Sequence, residues 1–385
     1  MIKKFVIAVI ILLSFLSESN AQWTILRSDA DSLVRKGSDY IYNIQFDSAA
    51  TCFNKVKELY PRHPAGYFLD AMVDWWKITL FRETEEFDDS FIEKSEKVIA
   101  ICDSLLEIDP GDINALFFKG GAHGYLGRFH AKRKNWFSAA NEGKVGFDML
   151  IECWKVAPGN SDIQLGTGIY NYFAEAIPEK YPLVKPLMTF LPPGDKRRGL
   201  QQLESSAKRA RYANVEAKVT LLQVYYNFER NNERSLELAT SLHEKYPRNP
   251  YFHKYLGRSY VRDGDRKMWE STWREVVKRC IAKKPGYDRM IAREGLYYVG
   301  LALKLKRNYK LALKYFYKCD EACRYLDTDE PSGFMIQTNL YIGQIYDMQG
   351  RREMAIQQYE KVLDMPDKDK SHSSARRYIE KAYGK

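Results

Sequence analysis

The chain has 385 residues, of which 45% are hydrophobic, 29% charged and 14% aromatic. That balance excludes a disordered chain and a disulfide-framed miniprotein, and 23 glycines with 14 prolines exclude collagen-like or low-complexity polymers. The formal charge of +10 suits anionic surroundings and names no reaction.

The N-terminus opens with Lys3 and Lys4, continues as an apolar run from Phe5 to Leu16, and ends in small and polar residues with Ser19 and Ala21. This is the pattern of a secretory signal peptide over 1–21, with a mature chain from Gln22. The apolar run of 12 residues is shorter than the roughly 20 that span a bilayer. No cysteine follows it to take the acyl chains of a lipoprotein, so soluble export to the periplasm or cell envelope is expected. Removal of 1–21 takes away Lys3, Lys4 and Glu18 and lowers the formal charge only from +10 to +9. An exported chain seldom meets nucleic acid, so none is expected as a partner. Lipid headgroups, cell-wall polymers and acidic proteins are the commoner anions there, and they leave room for peripheral contact with membrane or wall.

From residue 30 a pattern recurs. Gly37 is followed by Tyr40, Ala49, Phe53 and Pro61, at offsets of 3, 12, 16 and 24. Ala71, Gly120 and Gly168 are weaker anchors in 64–215, where the spacing stretches from 34 to about 50 residues and implies longer helices or insertions. Gln223 stands in a glycine position, yet Tyr226, Ala239 and Pro247 keep the register. Gly257 is followed by Tyr260, Trp269 and Trp273; Gly300 by Leu303, Ala312 and Phe316; Gly343 by Tyr346, Ala355 and Tyr359. In a helical hairpin, small residues let two helices approach, aromatics fill the gap to the next hairpin, and a proline stops the second helix. The regular units lie at 30–63, 216–249, 250–284, 293–326 and 336–369, with three looser ones between.

These residues resemble the tetratricopeptide repeat family, whose unit is a helix pair of about 34 residues that needs a neighbour to cover its apolar edge. The resemblance implies an all-α, right-handed superhelical solenoid of about eight helix pairs. The expected organisation is irregular repeats over 22–215 with a Pro-rich insertion at 177–199, regular repeats over 216–370, and a solvent-facing capping helix over 371–385. More locally, Gly168-Ile169-Tyr170-Asn171-Tyr172-Phe173 and the later Gly194-Asp195-Lys196-Arg197-Arg198-Gly199-Leu200 are similar to exported bacterial repeat proteins. They are also similar to the eukaryotic family that includes the inclusion-body clearance protein, which implies an adaptor-like role.

Two stretches depart from the repeat. The insertion interleaves Pro178, Pro182, Pro186, Pro192 and Pro193 with Leu183, Val184, Leu187, Met188, Phe190 and Leu191; no long helix is expected there. It reads either as an apolar flap for a membrane or partner or, favoured because exposed apolar loops are rare, as a segment folded back over the array's own groove. Trp75 and Trp76 point to different sides of one helix and are expected to be buried under long flanking helices.

Chemistry-bearing motifs are missing. The six histidines lack the spacing of a helical zinc site, and there is no phosphate loop, dinucleotide fingerprint or nucleophile elbow. Acidic pairs such as Glu85 with Glu86 and Asp88 with Asp89 read as solvated charge. A non-enzymatic protein without cofactor or metal is expected. Cys52, Cys102, Cys153 and Cys319 fall at packed positions of second helices and read as buried free thiols; pairing of Cys280 with Cys319 or Cys323 stays open.

In the tetratricopeptide family the first helices line the concave wall that receives a peptide or partner helix. The resemblance identifies the wall here as Asn227, Phe228, Tyr251, Lys254, Arg258, Arg262, Tyr297, Lys304 and Gln344. Cations alternate with aromatics, which suits an acidic peptide or a C-terminal carboxylate. The chaperone-binding subset of the family grips such a carboxylate with fixed Lys and Asn side chains, but Tyr255 stands where an asparagine would be needed, so that activity is not carried over. The expected function is an exported scaffold for a protein or peptide partner. The alternative is a binder of a small ligand or polymer, cell-wall glycan or lipid, with its groove closed by the insertion.

Overall fold

The structure is a computed structural model that describes residues 28–188 and 191–385. The signal-peptide expectation over 1–21 lies outside the described residues. Those residues form seventeen helices besides one 3-10 turn and one single helical turn, with no strand among them. In chain order the helices are α1 (Ser28–Tyr42), α2 (Phe46–Leu59), α3 (Pro64–Leu80), α4 (Asp88–Ile108), α5 (Ile113–Lys132), α6 (Trp136–Val156), α7 (Ile163–Lys180), α8 (Lys196–Arg209) and α9 (Asn214–Asn227). They continue as α10 (Asn232–Lys245), α11 (Pro250–Asp263), α12 (Arg266–Ile281), α13 (Arg289–Leu305), α14 (Tyr309–Leu326), α15 (Gly333–Met348), α16 (Arg352–Leu363) and α17 (Ser371–Glu380). This is eight successive helix pairs and a terminal helix, the all-α repeat architecture expected. The chain divides into two compact units, the first ending at Val224 and the second running from Tyr225 to Lys385.

The helix boundaries follow from local chemistry. Asp112, Asn249, Asp265 and Ser332 accept hydrogen bonds from backbone N–H groups at the starts of α5, α11, α12 and α15, which satisfies donors that have no partner within the helix. Pro64 and Pro250 occupy the first turn of α3 and α11, where a missing N–H costs nothing. Within six pairs the turn from first to second helix passes through a left-handed residue: Ile44, Lys134, Arg230, Gly264, Arg307 or Gly350. Only two of these are glycine, so the turn was not legible from composition.

The anchor glycines have a clear role. A Cβ on Gly257, Gly300 or Gly343 would lie 2.6, 2.8 or 2.5 Å from the ring of Trp273, Phe316 or Tyr359, and Gly37 is covered by Phe53 in the same way. Each aromatic sits sixteen residues on, over the glycine of its own hairpin, where the sequence pattern had suggested the space between hairpins. Trp273, Phe316 and Tyr359 then join one continuous core through the second unit. Its last edge is covered by α17, whose Ala375 is fully buried and whose Tyr378 packs 5.5 Å from Tyr359.

The looser register of the first unit comes from helix length: α4, α5 and α6 have 21, 20 and 21 residues against 14 in α2. Trp75 and Trp76 are both buried, as expected. Asp88 departs from its expected solvated state: Arg133 holds both its carboxylate oxygens at 2.7 Å. The insertion also departs in part, because α7 continues through Pro178 to Lys180 before the 3-10 turn Pro182–Val184 and the single turn Lys185–Met188. Gly168, Gly194 and Gly199 let backbones meet around α7 and α8, where any Cβ would strike a neighbouring chain atom.

All six cysteines are free thiols. Cys52, Cys102, Cys153 and Cys319 are buried on second helices as expected, and burial pushes Cys102 and Cys153 up to about 12. Cys319 accepts a hydrogen bond from the Thr338 hydroxyl at 3.4 Å, and Cys319 and Cys323 interact with each other along α14. Neither is joined to Cys280.

Candidate functional site

Two surfaces collect chemistry, one in each unit. In the second unit they are set by the first helices α11, α13 and α15. Along α11, Tyr251 and Tyr255 pack 4.9 Å apart, and the Lys254 ammonium lies 5.2 Å and 6.0 Å over the two rings. Tyr251, Lys254 and Gln344 are only 6%, 8% and 5% exposed, so they form the floor of the wall and cannot reach a partner as side chains at its surface. Arg258 is bound to Glu294 of α13 through both carboxylate oxygens, Nη2 to Oε2 at 2.7 Å. Breaking a buried, hydrogen-bonded ion pair of this kind costs about 3–5 kcal/mol, so Arg258 is spent on joining two repeats. Arg262 is exposed at the end of α11, with its guanidinium 3.4 Å over the Tyr226 ring and hydrogen-bonded to the Tyr226 carbonyl. Asn227 donates to the Tyr255 hydroxyl at 3.5 Å, and Phe228 follows it half-buried.

Tyr297 and Lys304 belong to a second cluster toward the C-terminal end. Tyr297 packs against Phe334 at 5.2 Å and Tyr341 at 6.0 Å. Lys304 of α13 sits between rings, 4.9 Å over Tyr341 of α15 and 5.0 Å over Tyr383. No carboxylate among the described residues pairs with it, and burial lowers its ammonium to about 8. Of the nine predicted wall residues, Lys304 is thus a half-buried cation with no carboxylate against it among the described residues. Tyr341 and Tyr383, which cage it, were missed in the sequence because they lie outside the repeat positions that carry the resemblance.

In the first unit, α1, α3, α5, α6, α7 and α9 surround an apolar chamber of about 290 Å³. Val34, Met72, Phe117, Phe147 and Ile169 are among its walls. The insertion folds back onto it: Val184 and Leu191 line the chamber, and the Tyr170 hydroxyl donates to the Pro192 carbonyl at 3.0 Å. Leu183 points away and is 96% exposed. At the polar end Glu216 accepts from the Trp76 indole at 2.6 Å and from the Tyr42 hydroxyl at 3.3 Å, both on Oε1. Arg128 lies 4.9 Å over Trp75 and 5.1 Å over Tyr125. Tyr125, close to both charges, is held protonated first by burial and then by the Glu216 charge. Glu216 and Arg128 were not singled out from the sequence; the signal available was the run of glycines from Gly120 to Gly127 inside one helix.

Residues 337–369 match the family model of the tetratricopeptide repeat. No curated protein matches the chain. Among solved structures, human IFIT1 as a dimer with m7Gppp-AAAA is similar at 14% identity and a TM-score of 0.41, covering 93% of this chain and 88% of that one. A monomeric IFIT1 mutant with Gppp-AAAA gives 13%, 0.41, 93% and 89%, and the human IFIT1 dimer with PPP-AAAA gives 15%, 0.39, 93% and 88%.

Proposed function

Taking as premise that the chain is a tetratricopeptide-repeat protein, a class that serves protein–protein interaction, we propose that it is an exported, non-enzymatic scaffold of the cell envelope. It holds a carboxylate-bearing peptide or protein segment on the first-helix face of residues 225–385. The observation that carries the reading is Lys304, a half-buried ammonium between Tyr341 and Tyr383 with no acid of its own among the described residues. A desolvated cation against aromatic faces gains most from an incoming carboxylate, which supplies a charge-assisted hydrogen bond where water supplies few. Arg262 over Tyr226 offers a second, exposed cation on the same unit. Export rests on the residue pattern of 1–21.

The test uses the mature protein and fluorescent ten-residue peptides: one acidic with a free C-terminus, one acidic and amidated, one basic. The acidic peptides are expected to bind and the basic one to fail. Lys304→Met should weaken acidic binding at least tenfold, and equal binding of all three peptides would contradict the reading. Mass spectrometry of the envelope-recovered protein is expected to find Gln22 at its start; an intact Met1 would remove the export proposal.

A further inference from the structure

The chamber of the first unit has features that packing alone does not ask for. Most glycines of α5 and α6 are needed: a Cβ on Gly127 or Gly146 would meet backbone of the facing helix at 3.1 or 2.8 Å. Gly124 and Gly143 differ. Both line the chamber, and a Cβ on either would meet no protein atom within 4 Å. Glycine inside a helix is unfavourable relative to alanine, and these two interior glycines leave space that no atom of the described residues fills.

The polar end has the complementary feature. Glu216 is 9% exposed, and among the described residues its Oε2 has no hydrogen-bond partner; Nη1 of Arg128 is likewise buried without one, and the Tyr125 side chain lies against both groups. A buried charged atom left unpaired is costly, and its cost is removed by whatever supplies the missing partner. The two carry opposite charges, so the partner that satisfies both is net neutral. At roughly 10–15 Å³ of cavity volume per water-sized group, 290 Å³ takes on the order of twenty to thirty non-hydrogen groups. That admits a single short chain or one aromatic ring with its head, and excludes a two-chain lipid. The apolar walls exclude a glycan, whose hydroxyls would find no partners there.

We propose that the first unit is a binding site for a net-neutral amphipathic small molecule. Its apolar body fills the chamber above Gly124 and Gly143, its positively charged nitrogen faces Glu216, and its anionic oxygen faces Arg128. Tyr42, Trp76 and Tyr125 supply aromatic faces around the nitrogen. Two sources carry this chemistry, a free apolar amino acid and a single-chain zwitterionic lipid. The proposal stands apart from the peptide reading of residues 225–385, since each concerns a different unit.

Equilibrium dialysis of the mature protein against four probes tests it: L-phenylalanine, decylphosphocholine as monomer, decanoate and decylamine. Saturable binding is expected for one of the first two, which assigns the source, with decanoate and decylamine at least tenfold weaker than it. A Cβ at Gly143 meets no atom within 4 Å, so Gly143→Leu should project into the chamber and abolish binding, with a cooperative circular-dichroism melt showing that the variant folds. Glu216→Gln should weaken the bound zwitterion at least tenfold. The proposal is overturned if neither zwitterion saturates the wild type, if the singly charged probes bind as well, or if Gly143→Leu binds like the wild type.

Discussion

Gly343 of α15 lies directly beneath the ring of Tyr359 of α16, so close that a Cβ on the glycine would stand 2.5 Å from Tyr359 Cε1. The same relation at the same offset joins Gly300 to Phe316 and Gly257 to Trp273. It explains why the repeat is readable at all: one position must lack a side chain because another, sixteen residues later, brings a ring.

Two helical glycines should therefore respond to alanine with opposite signs. Gly343→Ala forces Tyr359 out of place, an overpacking that costs about 1–3 kcal/mol and outweighs the gain in helix propensity. Gly124→Ala meets no atom within 4 Å and should keep that gain of about 0.8–1 kcal/mol. Urea unfolding of the two variants followed by circular dichroism measures both. A gain in stability for Gly343→Ala would contradict the packing described.

The turn residues give a second expectation. Arg307 is exposed and left-handed, with φ of 57°, a conformation that costs a residue with a Cβ roughly 1–2 kcal/mol. Arg307→Gly should raise the stability of the second unit by a little under 1 kcal/mol after the larger chain entropy of glycine is counted. Gly264→Ala, at a φ of 87°, should lower it by a similar amount. Thermal melts of the two variants should move in opposite directions.

Acid should loosen the second unit through two stacked histidines. The rings of His243 and His253 lie 4.4 Å apart, and His253 Nδ1 bonds the Tyr287 hydroxyl at 2.9 Å. Burial lowers His243 to about 4 and His253 to about 2, with the charge of Arg279 adding to both. The unfolded chain takes up these protons near 6.5 and the folded chain does not, so stability falls as pH drops below 6.5; the fall slackens near 4, where His243 titrates in the fold, and continues toward about 2, where His253 does. The melting temperature should drop between pH 7 and pH 5, and His243→Phe should reduce that drop. A flat profile over this window would contradict neutral burial of the pair.

The fold was legible where one physical constraint fixes two residue types at a set distance. Gly37 with Phe53 and Gly343 with Tyr359 announce a hairpin because ring and backbone compete for one space. The capping helix was legible because the Tyr359 edge needs a cover such as Ala375. The wall was less so. A cation at a first-helix position reads the same whether it is neutralised by the next repeat, as Arg258 is by Glu294, or left unpaired, as Lys304 is; the difference lies in a neighbour 36 residues away for Arg258. Tyr251, Lys254 and Gln344 looked exposed by register and are buried because aromatic rings and adjoining helices close over them. The chamber was illegible as a site because its charges, Arg128 and Glu216, lie 88 residues apart in the sequence with ordinary repeat residues around each. Glycines Gly124 and Gly143 differ from their neighbours only in what faces them.

The most direct test of a carboxylate-binding wall is the pH dependence of peptide affinity at Lys304, read by fluorescence anisotropy at pH 7 and pH 9.5. Its ammonium is lowered to about 8 by burial, so the charge is present at pH 7 and largely lost at pH 9.5 unless a bound carboxylate retains it. Affinity for the acidic peptide should fall about tenfold or more across that interval in the wild type. Lys304→Arg, charged at both values, should keep its affinity, and Lys304→Met should bind weakly at both. Equal wild-type affinity at the two pH values, together with unimpaired binding by Lys304→Met, would contradict the assignment of this wall as the partner's seat.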